Sequence, residues 1–419
     1  MKKYLPLKCI IVAVISIFFL HPFLYSKTNL ILQDDPAPPS KPVRLVFIHH
    51  STGGNWLADS WGGLGKALKQ NNYYVSDVCY GWGQNSIGDR TDIGNWWEWF
   101  RDSVNSPAYL NDLYHLDAMD GSYGNYERLA NNPDPQGENV IVMFKSCFPN
   151  SRILGNPGDP VPAIADNPMK GESAGSDTYT VANAKGIYID LLEYFKTKLD
   201  KLFIVITAPP LIDPTYGNNA RALNNWLVNN WLKNYPHNNV FVFDFFNCLT
   251  SNGGSADVND LNQESGNHHR WWKAAIQHIV STNNNFEAYP SGDDHPNATG
   301  NAKTTGEYLP LLNVAYNRWL STKPTSIDDG NAEVTEPIFS ISPVPVKDIS
   351  VLGYELPGTS FLNIEIYNSL GIKFYNFSTN NLPTKGSLDL NLSSFNNGKY
   401  FIKISTKWGI YIVPVMVLK

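Results

Sequence analysis

The chain has 419 residues, too many for one ordinary core, so two folded units are expected. Its 42% hydrophobic and 17% charged residues describe a globular protein and exclude a disordered one. The net charge of -6, with 32 Lys and Arg scattered rather than gathered in a stripe, argues against a nucleic-acid partner.

At the N-terminus Lys2 and Lys3 precede an apolar stretch over 9–20, and small Ser26 offers a cleavage point. This is the pattern of a secretory signal peptide over 1–26. The apolar run falls short of the roughly 20 residues a span needs, so no stable membrane span is expected after cleavage. Cys9 lies at the front of the run, the wrong place for a lipid-modified cysteine. Cleavage leaves Cys79, Cys147 and Cys248, which allow at most one bridge, so the fold must rest on its core. Residues 27–42, "KTNLILQDDPAPPSKP", read as an extended, flexible Pro-rich spacer.

From residue 43 apolar runs alternate with segments of helical spacing. The runs are 43–48, 73–80, 140–144, 202–208 and 240–246, rich in Val, Ile and Phe as strands buried on both faces are. Between them Leu57, Trp61, Leu64 and Leu68 predict one helix, Ala184, Tyr188, Leu191, Phe195 and Leu199 a second, and Ala220, Leu223, Leu227 and Trp231 a third. A last helix carries Tyr308, Leu311, Leu312, Ala315 and Trp319, with Pro310 expected to bend it. Strand-helix alternation gives an open parallel sheet covered on both faces, an α/β fold whose ligands sit at the carboxyl ends of the strands. Two aromatic segments have open readings. "GNWWEWF" (94–100) is core or the lining of a sugar cleft, and "HHRWW" (268–272) is either a further metal-binding candidate or, as favoured here, a helix start whose rings pack on the lid of the cleft. The insert over 249–290 is expected to form the substrate-side loop.

A polar linker over 322–337 ends this unit, and the texture changes after 338. Apolar and polar residues then alternate between turn signals, predicting about seven short antiparallel strands in a small all-β sandwich over 338–419.

Three stretches that could do chemistry fall where strand ends should meet. Ser51 follows the first strand in "FIHHSTGGNW", with Thr52, Gly53 and Gly54 allowing a sharp turn before a helix expected near Asn55. Taken alone, it also reads as a capping serine. His295 sits in "YPSGDDHPNATG" beside Asp293 and Asp294, either of which can hold one ring nitrogen while the other takes a proton. Asn150, in "MFKSCFPNSRI", can donate to a developing oxyanion, as can the Ser51 N–H and a glycine of "GWGQNSIGDRTD", Gly81, Gly83 or Gly88. A nucleophile, a base with its acid and oxyanion donors thus converge on one sheet edge. A metal reading uses His49, His50, Asp293, Asp294 and His295, but neighbouring histidines on a strand point oppositely.

The order of these blocks over residues 43 to about 321 resembles the SGNH (GDSL-type) hydrolases. The resemblance implies a flavodoxin-like three-layer α/β/α sheet and ester hydrolysis through an acyl-serine, without metal or cofactor. It makes Ser51 the nucleophile, His295 the base and Asp293 its partner, with Ser51, Asn150 and Gly88 or Gly83 as the oxyanion hole. The chain departs from the pattern in three places. His49-His50-Ser51 replaces Gly-Asp-Ser, "KSCFPNS" replaces the Gly-x-Asn-Asp block, and Gly292 stands where the aspartate is usual. The last 80 or so residues resemble the C-terminal sorting domain of type IX secretion cargo of Bacteroidetes-type bacteria, with Pro343-Val344-Pro345 for the usual Pro-Asn-Pro. That implies the type IX secretion machinery as a partner and a secreted, extracellular or outer-membrane-surface location. The expected function is a secreted esterase acting on an acylated small molecule or polysaccharide. The alternatives are a glycan-binding protein on a degenerate scaffold and a metal-dependent hydrolase.

Overall fold

The computed structural model describes residues 34–80, 91–323, 337–342 and 345–419. The expected signal peptide, most of the 322–337 linker and the glycine segment 81–90 lie outside them. The chain divides into two compact units, 1–324 and 325–419.

In the N-terminal unit five strands form a parallel sheet in the order β2-β1-β3-β4-β5: β1 Val43–His49, β2 Tyr73–Cys79, β3 Ile141–Lys145, β4 Leu202–Ile206 and β5 Val240–Phe243. Successive side chains point to opposite faces, and both faces are covered. Val46, Ile48, Val142 and Phe144 pack beneath α3 (Trp96–Phe100), α4 (Ser106–His115), α5 (Val181–Phe195) and α6 (Gly217–Trp226). Leu45, Phe47, Met143 and Ile204 face α1 (Ser51–Leu57), α2 (Leu64–Gln70) and α8 (Ala298–Thr322). Trp96 and Trp99 of "GNWWEWF" are buried in the first of these cores, so that cluster is core rather than the lining of a cleft.

Several expectations are corrected. The single helix predicted from Leu57 to Leu68 is two, α1 and α2, because Gly63 turns the chain at φ +67° and Gly62 lies against the Trp56 carbonyl, where a Cβ would come within 2.3 Å. The last helix does run on through Pro310. The segment "HHRWW" is a strand, β6 (Asn267–Trp272), paired antiparallel with β7 (Ala275–Val280). A short helix, α7 (Phe245–Cys248), leads into that insert. The spacer is not loose over 34–42, because Asn313 and Asn317 of α8 donate to the carbonyls of Pro36, Asp35 and Ala37, and Arg318 pairs with Asp34.

In the C-terminal unit seven strands make two antiparallel sheets. One has the order β11-β10-β13-β14 (Lys373–Leu382, Ser360–Asn368, Gly398–Thr406, Gly409–Val417). The other is β12-β9-β8 (Lys385–Asn391, Ile349–Glu355, Ile338–Ser342). Leu352 and Leu390 of the second sheet share one core with Ile364, Ile402 and Val415 of the first.

Candidate active site

The helix after β1 begins at Ser51 itself, not near Asn55. Two glycines make a poor helix, each unfavourable by about 1 kcal/mol relative to Ala. Contact explains them. A Cβ on Gly53 would lie 2.4 Å from the His49 Cβ, and one on Gly54 would lie 2.8 Å from the Tyr123 Cβ. The glycines let α1 close down on the strand it has just left. His50 stays extended at the helix entry, and Ser51 is presented at the strand end with 7% of its surface exposed.

His295 arrives from the loop before α8. The loop is tied by hydrogen bonds from the Asn297 N–H to the Tyr289 carbonyl (2.6 Å) and from the Ser291 N–H to the His295 carbonyl (3.2 Å). Asn297 caps α8 by accepting from the Gly300 N–H at 3.0 Å. The His295 Nε2 is 2.8 Å from Ser51 Oγ, and its Nδ1 is 3.0 Å from Asp293 Oδ1. That carboxylate oxygen also accepts from the His295 N–H (2.9 Å) and the Ser291 hydroxyl (3.0 Å). The backbone donor and the two side chains hold Asp293 below the usual carboxylate range. Asp294 has a different task, accepting from the Ile212 N–H at 2.8 Å and so fixing the loop beyond β4. The Phe148 ring packs edge-on against the imidazole at 4.9 Å.

Asn150 lies in a 3-10 turn over Phe148–Ser151, just beyond β3. Its carbonyl accepts from the Ile93 N–H (2.9 Å) and the Tyr179 hydroxyl, and one amide N–H goes to Asp92 at 2.6 Å. Its side chain is buried and rigid, with part of its donor capacity already committed. Gly81, Gly83 and Gly88 lie outside the described residues.

The two histidines before Ser51 do not meet it as a pair. His49 Nε2 bonds Asp77 at 2.9 Å and its Nδ1 faces the His50 carbonyl at 2.7 Å. His50 packs on the Tyr80 ring at 4.4 Å. Its pKa is lowered to about 3, by burial first and then by Lys145 and His49, so the ring is neutral near pH 7. Among the described residues no group of three or more His, Cys, Asp or Glu is arranged to hold a metal ion.

Three further residues near these strand ends were not singled out from the sequence. Cys147 Sγ lies 3.1 Å from Thr52 Oγ1 and 3.7 Å from Ser51 Oγ. Lys145, fully buried at the end of β3, donates to the Ser146 carbonyl at 3.1 Å, and burial lowers its pKa to about 8. Tyr123, on the loop after α4, packs its ring against Gly54 of α1 and meets the Tyr80 hydroxyl with its own at 2.9 Å. Cys147 alone could have been found, from its place in "KSCFPNS" between the strand end and Asn150.

Comparison with known proteins assigns the other unit. Residues 340–417 match the family described as the secretion system C-terminal sorting domain. The chain therefore carries a type IX secretion sorting domain, which implies interaction with the secretion machinery and places the protein at the cell surface or outside the cell. No curated protein matches the chain. Among solved structures, latent PorU from Porphyromonas gingivalis is 14% identical over 22% of this chain and 10% of its own, with a TM-score of 0.17. The β-glucosidase EmGH1 from Erythrobacter marinus is 7% identical over 92% of this chain and 48% of its own, with a TM-score of 0.19. An endo-β-1,4-mannanase from Cellulomonas fimi is 11% identical over 89% of this chain and 94% of its own, with a TM-score of 0.21. The chain thus spans a tenth and about half of the first two. Among the described residues no helix is long and apolar enough to cross a membrane.

Proposed function

We propose that the N-terminal unit is a serine ester hydrolase of the SGNH (GDSL-type) kind, exported to act outside the cell. One observation carries the reading: Ser51 Oγ lies 2.8 Å from His295 Nε2, whose other nitrogen rests on Asp293 at 3.0 Å. The 2-1-3-4-5 strand order, which is that of flavodoxin-like sheets, supports it. So does the place of Ser51, at the strand end next to the point where the order reverses between β1 and β3.

His295 takes the Ser51 proton as Oγ attacks the acyl carbonyl. The tetrahedral oxyanion is met by the Ser51 N–H and by the amide hydrogen of Asn150 not bound to Asp92. His295 then protonates the leaving alkoxide. Water, activated by the same imidazole, releases the acid from the acyl-serine. Asp293 keeps the imidazole in the tautomer that leaves Nε2 free to accept. The substrate class we favour is an acylated carbohydrate. The Trp61 ring is 38% exposed beside the catalytic loop, fixed by its Nε1 donating to the Pro296 carbonyl at 3.2 Å, and such a face suits a sugar ring.

Labelling with a fluorophosphonate probe followed by peptide mapping tests the reading. Modification is expected at Ser51 and nowhere else, and Ser51→Ala is expected to abolish both labelling and nitrophenyl acetate turnover. A variant that keeps full turnover would sink the assignment.

A further inference from the structure

The proposed reaction leaves out both histidines of "FIHHSTGGNW", and His49 is the more deeply set of the two. Its side chain is 1% exposed and that of its partner Asp77 is 2% exposed, so neither can reach a substrate. His49 Nε2 lies 2.9 Å from Asp77 Oδ2, and the other carboxylate oxygen accepts from the Tyr126 hydroxyl (2.6 Å) and the Asp120 N–H (2.9 Å). Burial pushes the Asp77 carboxyl up, but the bonds from His49, Tyr126 and Asp120 outweigh it and hold the group below its ordinary value. It is ionised and can only accept. Across the ring, Nδ1 lies 2.7 Å from the His50 carbonyl, which can only accept as well. Both ring nitrogens therefore carry hydrogen, and the ring is fixed at both ends.

The His50 carbonyl is one half of a planar peptide group whose other half is the Ser51 N–H. That carbonyl receives three donors: His49 Nδ1 and the N–H groups of Gly53 (2.9 Å) and Gly54 (3.1 Å). Ser51 is the first residue of α1, so its own N–H has no acceptor within the helix. Gly53 lets ring and helix share the oxygen, because a Cβ there would lie 2.4 Å from His49 Cβ and 3.1 Å from Nδ1.

We propose that His49 is a positioning residue for the oxyanion hole: its Nδ1–H grips the His50 carbonyl and so aims and strengthens the Ser51 N–H as the donor to the oxyanion. The inference rests on the reading of Ser51 as nucleophile and of its N–H as an oxyanion donor. A hydrogen bond accepted by an amide oxygen draws electron density from the amide nitrogen, which leaves the N–H a better donor. Asp77, His49, the peptide and the oxyanion then form one chain in which each bond polarises the next. The donors to the carbonyl are in place before the substrate arrives, so nothing has to reorganise when charge develops. As Ser51 Oγ bonds the carbonyl carbon and its proton passes to His295, the substrate oxygen takes the negative charge and accepts from the Ser51 N–H. No proton leaves His49. His295 exchanges a proton, and His49 keeps both of its own.

The test compares His49→Gln with His49→Asn on nitrophenyl acetate, per mole of Ser51 that a fluorophosphonate titrates at its end point. Counting only titratable Ser51 removes any loss caused by misfolding. The amide nitrogen of Asn falls where Nδ1 stood and keeps the donor to the His50 carbonyl, whereas that of Gln falls where Nε2 stood and keeps only the Asp77 contact. We expect His49→Gln to lower kcat about tenfold with KM little changed, short of the 100- to 1,000-fold or so of losing a donor outright, since the Ser51 N–H remains. His49→Asn should restore kcat to within about threefold of the parent. A residue that merely anchored the Asp77 loop would give the opposite order. A His49→Gln protein with kcat within about twofold of the parent, or a larger loss in His49→Asn than in His49→Gln, overturns the inference while leaving Ser51 as nucleophile. Isotope-labelled histidine NMR reads the same point apart from turnover, and a His49 ring without hydrogen on Nδ1 also overturns it. Failure of the unsubstituted protein to label or turn over would remove the nucleophile reading, and the inference with it.

Discussion

His268 and His295 are each held by a carboxylate, and the two pairs do opposite work. His268 Nδ1 meets Glu307 at 2.7 Å with both side chains wholly buried, and its Nε2 faces the Ser265 carbonyl at 3.2 Å. Glu307 also accepts from the His269 N–H and the Cys248 thiol, each at 2.9 Å, so every group around it is already bonded. This pair pins the β6–β7 hairpin to α8. His295 sits on an exposed loop, its carboxylate 66% open to water, and its second nitrogen faces a hydroxyl rather than a carbonyl. A histidine-carboxylate pair is therefore structural when its neighbours saturate it, and chemical when one nitrogen is left facing a group that can give up a proton. Burial alone does not identify the site. The most buried pair in this unit is the one least able to act.

The largest effects should separate the two pairs by kind. Ser51→Ala and His295→Ala are expected to lower esterase turnover by at least about 1,000-fold while leaving the denaturation midpoint where it was. Glu307→Ala should do the reverse. Removing one partner from a buried charged network destabilises by about 3–5 kcal/mol, and protein that remains folded should label at Ser51 at the parental rate. Urea titration at pH 7 reads the first quantity and fluorophosphonate kinetics the second. Burial pushes the Glu307 pKa up, but His268 and Lys303 outweigh it and hold the carboxyl below its ordinary value. Its stabilising share is thus present above the ordinary glutamate pKa and lost as pH falls through the depressed one. A Glu307→Ala protein whose stability matched the parent would break the contrast.

The same comparison explains what the sequence disclosed. The strand at 43–48 and its four partners were legible because both faces are apolar, which needs no knowledge of neighbours. Ser51, His295 and Asp293 were legible because all end up beyond the carboxyl ends of strands, where polar residues and glycines stand out from the runs before them. The hairpin at 267–280 was not. His268 and Arg270 are buried in a strand only because Glu307 and the carbonyls of Leu261 and Gln263 accept from them, and His269 because its Nδ1 accepts from the Asp244 N–H; those partners lie elsewhere in the chain. Nor was the helix start at Ser51, since Gly53 and Gly54 oppose helix locally and are accepted for the close approach of His49 and Tyr123. Tyr123 itself sits in a loop whose composition says only that it turns.

Lys145 sharpens the comparison from a third side, being a charge buried behind the site with a backbone carbonyl for a partner and the Phe245 ring 5.2 Å away. Its folded pKa of about 8 lies below the ordinary lysine value, so the unfolded chain binds the proton more tightly. Stability should rise as pH increases from about 8 to the ordinary lysine value near 10.5, and the penalty is fully present below pH 8. Lys145→Met is therefore expected to stabilise the protein by up to about 3 kcal/mol at pH 7, an advantage that fades above about pH 10.5. Thermal midpoints of both proteins across that pH range check the sign. A variant less stable than the parent at pH 7 would mean that the ammonium is held by more than its carbonyl.

The smallest change expected is at Asp293, and it bears most directly on the contrast with Glu307. Asp293→Asn alters a carboxylate in contact with water, so the denaturation midpoint should stay within about 0.5 kcal/mol of the parent. Turnover should nevertheless fall, because an amide can hold the imidazole in the wrong tautomer. A buried aspartate in a serine triad is worth about 10,000-fold, and water beside Asp293 can take over part of its task, so a loss of roughly 30- to 100-fold is expected here. The backbone N–H of His295 keeps the carboxylate ionised below the usual range, so its support of the base should persist as pH falls into that range and vanish only beneath it. The parent-to-variant ratio of kcat/KM is read on the pH-independent plateau of each protein, because removing a carboxylate beside an imidazole also moves the pH at which that plateau begins. If the two plateau values lay within about twofold of each other, Asp293 would not be the group that orients His295.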